Sequence, residues 1–140
     1  MGFFSEDLLA VYQGGKWGYM DKGGKTVISF MFDKAGSFQE GLAPVQLGFP
    51  WGFINRKGDF VNEPNYFYAS SFCEGLSAVR SRSGKYWGYI DKTGKEVIPL
   101  KYSVAGNFKN GFAIVQVKDP VSGESEAFFI DKAGREYRQK

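Results

Sequence analysis

The acidic residues of this sequence occupy repeated positions rather than forming an isolated pair. One position is filled by Glu6, Glu40, Glu74 and Asn110, and another by Asp21, Asn55, Asp91 and Asp131. A catalytic acid and base need two carboxyl groups in different environments, so that only one pKa is raised. Residues at equivalent positions of a repeat have similar surroundings, and Asn replaces the acid once in each series. The pattern therefore predicts hydrogen bonds in turns or caps, not catalysis.

A nucleophile with a base beside it is also missing. The only cysteine is Cys73, and its equivalents in the repeat are Ser5, Gln39 and Lys109. A nucleophilic Cys usually needs a neighbouring His, and the chain contains none. The same absence removes His-containing triads and the common zinc sites. No phosphate-binding or dinucleotide-binding glycine motif occurs. We therefore expect no enzymatic activity, no cofactor and no metal site.

The three tryptophans, Trp17, Trp51 and Trp87, could form an aromatic recognition surface. Each is followed directly by a glycine, at residues 18, 52 and 88. A large aromatic at a repeated position usually fills a core, and a glycine lets a ring lie over bare backbone. We therefore expect the tryptophans to be packed. Exposed tryptophans that bind carbohydrate or cell wall are the alternative.

These residues belong to one motif that recurs along the whole chain. Phe4, Phe38, Phe72 and Phe108 begin its copies and lie 34, 34 and 36 residues apart. Downstream of each Phe comes an apolar stretch that ends in Val, followed by the Trp-Gly segment or its degenerate copy Ala127-Phe128-Phe129-Ile130-Asp131. Such regularity is the signature of a repeat protein.

Each copy has the pattern of three β-strands. The stretch ending in Val is the first, the Trp-Gly segment the second, and the residues around Val27-Ile28 and their equivalents the third. Asp-x-x-Gly between the second and third strands is typical of a type I turn, with the glycine left-handed. We predict one domain over residues 1–140, with units at about 4–28, 38–62, 72–98 and 108–137. Phe32, Tyr66 and Tyr102 in the linkers should pack between units.

Composition fits a small globular domain. The chain has 140 residues, 43% hydrophobic content and a net charge of +3, with basic and acidic residues interspersed. A stripe of basic residues for nucleic acid is absent. No segment has the roughly 20 apolar residues that span a bilayer, and residues 1–7 lack the features of a signal peptide. We expect a cytoplasmic protein that neither binds nucleic acid nor inserts into a membrane.

The motif resembles the bacterial WG-repeat family. Residues 86–99, Tyr-Trp-Gly-Tyr-Ile-Asp-Lys-Thr-Gly-Lys-Glu-Val-Ile-Pro, are close to that family's consensus. The resemblance implies an all-β fold of four tandem three-stranded units, about twelve strands, stacked as a short curved solenoid. A closed, propeller-like ring is the alternative. It implies no catalytic residues, because the family has no common activity.

Function is expected where the units differ from one another. Aromatic residues are added in the linkers and beside Trp51, and a longer loop follows Lys118 in the last unit. Insertions of this kind often lie on a binding face. We expect a protein-binding module, with a partner surface made by Phe30, Met31, Phe49, Tyr66, Phe67, Tyr68 and Pro120.

Overall fold

The computed structural model describes residues 6–61 and 64–138, and it is an all-β protein. Its fourteen strands are β1 Leu9–Gln13, β2 Lys16–Met20, β3 Thr26–Phe32, β4 Lys34–Ala35, β5 Ala43–Gln46, β6 Trp51–Ile54, β7 Tyr68–Ala69, β8 Leu76–Arg80, β9 Trp87–Asp91, β10 Glu96–Tyr102, β11 Val104–Ala105, β12 Phe112–Lys118, β13 Ser125–Asp131 and β14 Glu136–Tyr137. Within that part of the chain, no helix is long and apolar enough to cross a membrane. Phe4, the first Phe of the motif, lies outside the described residues.

The strands form four antiparallel sheets, one for each copy of the motif. The first sheet is β1-β2-β3 and the second β4-β5-β6, while the third is β10-β9-β8-β7 and the fourth β11-β12-β13-β14. Twelve strands were expected. The difference arises because two-residue strands from the linkers (β4, β7 and β11) join the last three sheets. In the second sheet the expected third strand is reduced to the isolated bridges Ile54↔Phe60 and Trp51↔Tyr66.

The turns between the second and third strands have the predicted chemistry. The Asp91 carboxylate accepts hydrogen bonds from the backbone N–H of Thr93 at 2.9 Å and of Lys95 at 3.1 Å. The Thr93 hydroxyl also donates to it and, as the largest cause, lowers the pKa of Asp91. Gly94 has a φ of 88°, in the left-handed region that glycine adopts without strain. Asp21, Asn55 and Asp131 accept the same two backbone bonds.

The apolar core consists of three clusters, and each lies between consecutive sheets. An aromatic residue on the second strand of one sheet packs edge-to-face on the Phe that begins the next copy. The ring pairs are Tyr19–Phe38 at 4.9 Å, Phe53–Phe72 at 4.7 Å and Tyr89–Phe108 at 4.9 Å. Phe32 and Tyr102 are buried in these clusters and Tyr66 packs against one, as predicted for the linker aromatics.

The glycine after each tryptophan is explained by a different contact from the one expected. A Cβ on Gly88 would lie 2.7 Å from the carbonyl oxygen of Ile98 and 2.8 Å from Leu100 Cα. Gly18 has the equivalent contact with the backbone of β3, at 2.7 Å from the oxygen of Ile28. The glycine therefore makes room for the neighbouring third strand and not for a ring. At Gly52 the close group is Pro64, with Cα at 3.0 Å.

Candidate binding groove

A large cleft is lined by the tryptophans of three different sheets. It has a volume of about 910 Å³ and is called the tryptophan groove below. Its lining is mainly apolar and aromatic, with a few polar side chains. The lining residues are Trp17, Asp33, Lys34, Ala35, Gly36, Pro44, Gln46, Phe49, Trp51, Phe67, Tyr68, Ala69, Ser71, Arg80 and Trp87.

The repeat brings these side chains together. Each tryptophan lies at the start or second residue of the middle strand of its unit, on β2, β6 or β9. These strands contact the short edge strand of the following sheet: β2 contacts β4, and β6 contacts β7. The same face of consecutive sheets therefore presents a tryptophan, then an edge strand, then the next tryptophan. In the fourth sheet Ala127 stands at the tryptophan position, opposite Gln116, so the row of indole rings ends at Trp87.

The three tryptophans differ in how deeply they are buried. Trp51 is 9% exposed and belongs to the core, whereas Trp17 and Trp87 are half-buried. Tyr68 lies between two of them, with its ring centroid 5.1 Å from Trp51 and 6.0 Å from Trp87, both edge-to-face. The predicted packing is therefore confirmed for Trp51. At Trp17 and Trp87 the same side chain serves both core and groove.

Arg80 is the unusual polar residue of the groove. It lies across the strand pair from Trp87, and its guanidinium carbon is 4.9 Å from the centroid of Phe67 and 6.0 Å from that of Trp87. Its Nε is buried and has no hydrogen-bond partner among the described residues. Burying an unpaired polar group is costly, because the N–H has lost water and gained no acceptor.

The free charge of the groove is positive. The Asp33 carboxylate is already satisfied, since Lys16 Nζ lies 2.6 Å from it and the Gly48 N–H 2.7 Å. The Lys16 hydrogen bond is the largest cause of the lowered pKa of Asp33. Lys34 and Arg80, by contrast, form no ion pair with any described residue.

Three of the seven predicted partner-binding residues lie in the groove: Phe49, Phe67 and Tyr68. The rings of Phe49 and Phe67 are 5.7 Å apart and edge-to-face. The other four lie elsewhere. Met31 is exposed on β3, where Phe30 is half-buried, and Tyr66 packs against the core between the second and third sheets. Pro120 lines a separate cleft of about 370 Å³ beside the long loop of the fourth sheet.

Arg80, Gln46 and Lys34 were not among the residues predicted from the sequence. A signal for the first two was present, because the residue directly after the Val of the first strand is Tyr12, Gln46, Arg80 or Gln116. In the sheets this residue is always the cross-strand neighbour of the tryptophan position. The variation at that position, beside an almost constant tryptophan, marks the place where the units differ in chemistry.

Cys73 has the surroundings of an unreactive thiol. It is half-buried, and burial is the main cause of its raised pKa, with smaller contributions from the carboxylates of Glu40 and Glu74. A reactive thiol needs a lowered pKa. Over residues 6–61 and 64–138, no three Cys, Asp or Glu residues are grouped so that they could hold a metal ion.

The fold and the groove define an all-β tandem-repeat protein with one aromatic cleft shared by consecutive units. A family model described as WG containing repeat matches residues 1–17, 17–48, 51–86 and 87–119. These matches cover most of the chain, so the chain belongs to the WG-repeat family, as its Trp-Gly segments predicted. No curated protein sequence matches it.

Proposed function

We propose that the chain is a non-catalytic binding module that takes an extended segment of a partner protein into the tryptophan groove. The observation that carries this proposal is the meeting of Trp17, Trp51 and Trp87 in one cleft with an unpaired Arg80. Aromatic and Arg side chains are enriched where proteins bind one another.

An extended peptide fits the shape and chemistry of this cleft. Aromatic-lined grooves bind peptides in the polyproline conformation, whose rings insert between aromatic side chains. Here Tyr68 packs edge-to-face against both Trp51 and Trp87. The cleft is therefore lined by both edges and faces of aromatic rings. Phe49 and Phe67 are exposed and carry no hydrogen-bonding group, so they favour an apolar contact. The edge strands β4 and β7 also line the cleft, and neither has a further strand on its outer side.

The charges favour an acidic residue in that peptide. A guanidinium binds a carboxylate through two parallel N–H···O bonds, which gives both strength and orientation. The rings of Phe67 and Trp87 pack against the guanidinium of Arg80 and restrict its movement. Little side-chain freedom is therefore lost when the carboxylate binds. Lys34, on β4, adds a second positive charge to the same cleft.

We also propose that the four sheets stack as an open curved solenoid. The described clusters and hydrogen bonds connect each sheet to the next one in sequence. A groove along consecutive units then has the elongated form that an extended peptide needs. Small-angle X-ray scattering tests this: a solenoid gives an elongated distance distribution, whereas a closed ring gives a compact, symmetric one and contradicts the proposal.

The test of function uses fluorescein-labelled ten-residue peptides that place a Glu between proline and aromatic residues. Matched peptides carry Gln instead of the Glu. Fluorescence anisotropy should show binding that prefers Glu and that is lost in Trp87→Ala and strongly weakened in Arg80→Gln. Val121→Ser, in an exposed loop outside the groove, is the matched protein control and should bind like wild type. Equal binding of Glu and Gln peptides, or equal binding by Arg80→Gln, contradicts the role of Arg80.

A carbohydrate is the second candidate, and the presence of Gln46, Asp33 and Lys34 beside the indole rings favours it. Sugars bind by stacking on aromatic faces while their hydroxyl groups bond to planar polar side chains. Trp51 is nearly buried, however, so it offers little free ring face. Binding to immobilised cell-wall polysaccharides, lost in Trp87→Ala and unaffected by the Glu peptides, would replace the peptide proposal.

A further inference from the structure

One face of every sheet except the last is covered by the next sheet. Tyr19, Phe53 and Tyr89 stand at equivalent positions on that face, and each is at most 1% exposed. Phe129 is their equivalent in the fourth sheet and is 50% exposed. An aromatic side chain is therefore present at this position in all four sheets, and among the described residues it is uncovered only in the fourth.

The exposed residues of the fourth sheet form a continuous apolar patch, called the trailing face below. It consists of Phe112, Ile114, Phe129 and Tyr137, each about half exposed. The ring of Phe112 lies 5.7 Å from that of Tyr137 and 6.5 Å from that of Phe129. Large exposed apolar patches mark interaction sites, because removing apolar surface from water is favourable. Leu42 and Leu76, the equivalents of Phe112, are buried.

The first sheet presents the complementary surface. In the second, third and fourth sheets, the face that meets the preceding sheet is completely buried at Val45, Val79 and Val115. Ile54, Ile90 and Ile130 on the same face are also fully buried. The equivalents in the first sheet are Val11 and Met20, which together with Leu9 remain partly exposed. These three residues are called the leading face below.

We propose that the trailing face of one copy of this chain binds the leading face of a second copy, head to tail. The occupant follows from continuity with the interfaces inside the chain. Three times in the molecule a face of the trailing type is covered by a face of the leading type. Within residues 6–61 and 64–138, each type is present once more with no sheet packed against it. An interface between two different surfaces of the same chain is heterologous, so it allows further copies to add.

The turns at the two ends are compatible with this association. Between consecutive units, a Glu carboxylate accepts the backbone N–H of the glycine in the next turn, as Glu40 does from Gly75 at 2.8 Å. In the fourth unit Asn110 replaces the Glu, and in the first unit Asp7 replaces the glycine. The amide oxygen of Asn110 can accept a backbone N–H without placing a second carboxylate beside Asp7. The two exceptions therefore occur where the two copies would meet.

Analytical ultracentrifugation of the 140-residue chain over a wide concentration range tests the proposal. The average mass should rise above the 15.7 kDa of one chain as the concentration increases. Phe129→Lys, on the trailing face, should remain a monomer, as should Val11→Lys on the leading face. Val121→Lys is the matched control because Val121 is exposed in the long loop, away from both faces. It should associate like wild type.

A mixture of the two blocked variants distinguishes head-to-tail binding from other arrangements. Each retains one intact face, so equal amounts of Phe129→Lys and Val11→Lys should form a dimer of two chains and nothing larger. Circular dichroism of each variant establishes that it is folded. A wild-type chain that stays monomeric at all concentrations overturns the proposal. So does a folded Val11→Lys chain that still dimerises by itself, because the trailing face would then bind its own copy.

Discussion

The carboxylate of Glu74 accepts the backbone N–H of Gly111 at 2.8 Å, across 37 residues of sequence. It also accepts the N–H of Asn110 at 2.6 Å, and Lys132 lies 3.5 Å away. Glu40 is bound to Gly75 and Glu6 to Gly41 in the same way. The turn of each unit thus supplies the acceptor for the turn of the next, and this series of bonds fixes the register between neighbouring sheets.

Glu74 should make the stability of the fold sensitive to acid. The N–H of Gly111 is the largest cause of the lowered pKa of Glu74, whose ordinary value is 4.5. A carboxyl group with a lower pKa in the folded state stabilises the fold above its unfolded pKa, and this contribution disappears as the pH falls through the folded value. We expect the Tm of the wild type to fall below about pH 4.5, and that of Glu74→Gln to fall less.

The control for this acid effect is Glu124→Gln. Glu124 lies in the exposed loop of the fourth sheet. Within the part of the chain that the structure describes, its carboxylate accepts no hydrogen bond from a neighbouring unit. Its Tm profile should follow that of the wild type. Identical profiles for Glu74→Gln and the wild type would show that the bond between the turns contributes nothing to the pH dependence.

Gly88→Ala should destabilise the fold strongly. The added methyl group would lie 2.7 Å from the Ile98 oxygen and 2.8 Å from Leu100 Cα, both of which are backbone atoms that cannot move without disturbing β10. Overpacking of this kind costs roughly 1–3 kcal/mol, and more where the backbone must shift. Urea unfolding measures the loss. Gly23→Ala is the matched control, because the nearest atom to its added Cβ is the Asp21 side chain at 3.4 Å. Equal stability of the two variants would contradict the close approach of β10.

The tryptophans should differ in how much they contribute to stability. Trp51 is buried, so Trp51→Ala should cost about 3–5 kcal/mol of unfolding free energy. Trp87 is half-buried, and Trp87→Ala should cost clearly less while removing binding in the groove. Chemical denaturation and anisotropy with the Glu peptides measure the two quantities separately. A Trp51→Ala protein as stable as the wild type would show that this ring belongs to the binding surface and not to the core.

Tyr89 should contribute a hydrogen bond between the third and fourth units. Its hydroxyl donates to the carbonyl oxygen of Gly106 at 2.5 Å, and the Tyr19 hydroxyl donates to that of Gly36 at 2.6 Å. Phe53 occupies the equivalent position without a hydroxyl, so Tyr89→Phe should fold. It should lose about 1 kcal/mol of stability in urea unfolding at neutral pH. No measurable loss would mean that water replaces the bond.

The same tyrosines should make the fold sensitive to alkali. Burial raises the pKa of Tyr19 and Tyr89 above the ordinary value of 10, and that of Tyr102 to about 12. A raised pKa stabilises the fold fully below the unfolded pKa, and this stability is lost as the pH rises. The Tm should therefore decline above about pH 10. Tyr12 is exposed, so Tyr12→Phe is the control, and its Tm should change with pH as that of the wild type does.

The sequence alone determined the repeat, its turns and most of its strands, but not the short linker strands β4, β7 and β11. These features depend on local chemistry: alternation sets a strand face, and Asp91 with Gly94 closes a turn within four residues. The groove depended on the tertiary structure, because Trp17, Trp51 and Trp87 are separated by whole units and meet only when the sheets stack. Phe49, Phe67 and Tyr68 could be predicted as candidate binding residues from the sequence, whereas the position of Arg80 against Phe67 and Trp87 could not. The reason for Gly88 was also misjudged, since the backbone that approaches it belongs to another strand. Side-chain period and turn type can be deduced from the chain, whereas the distances between units follow only from how their faces pack.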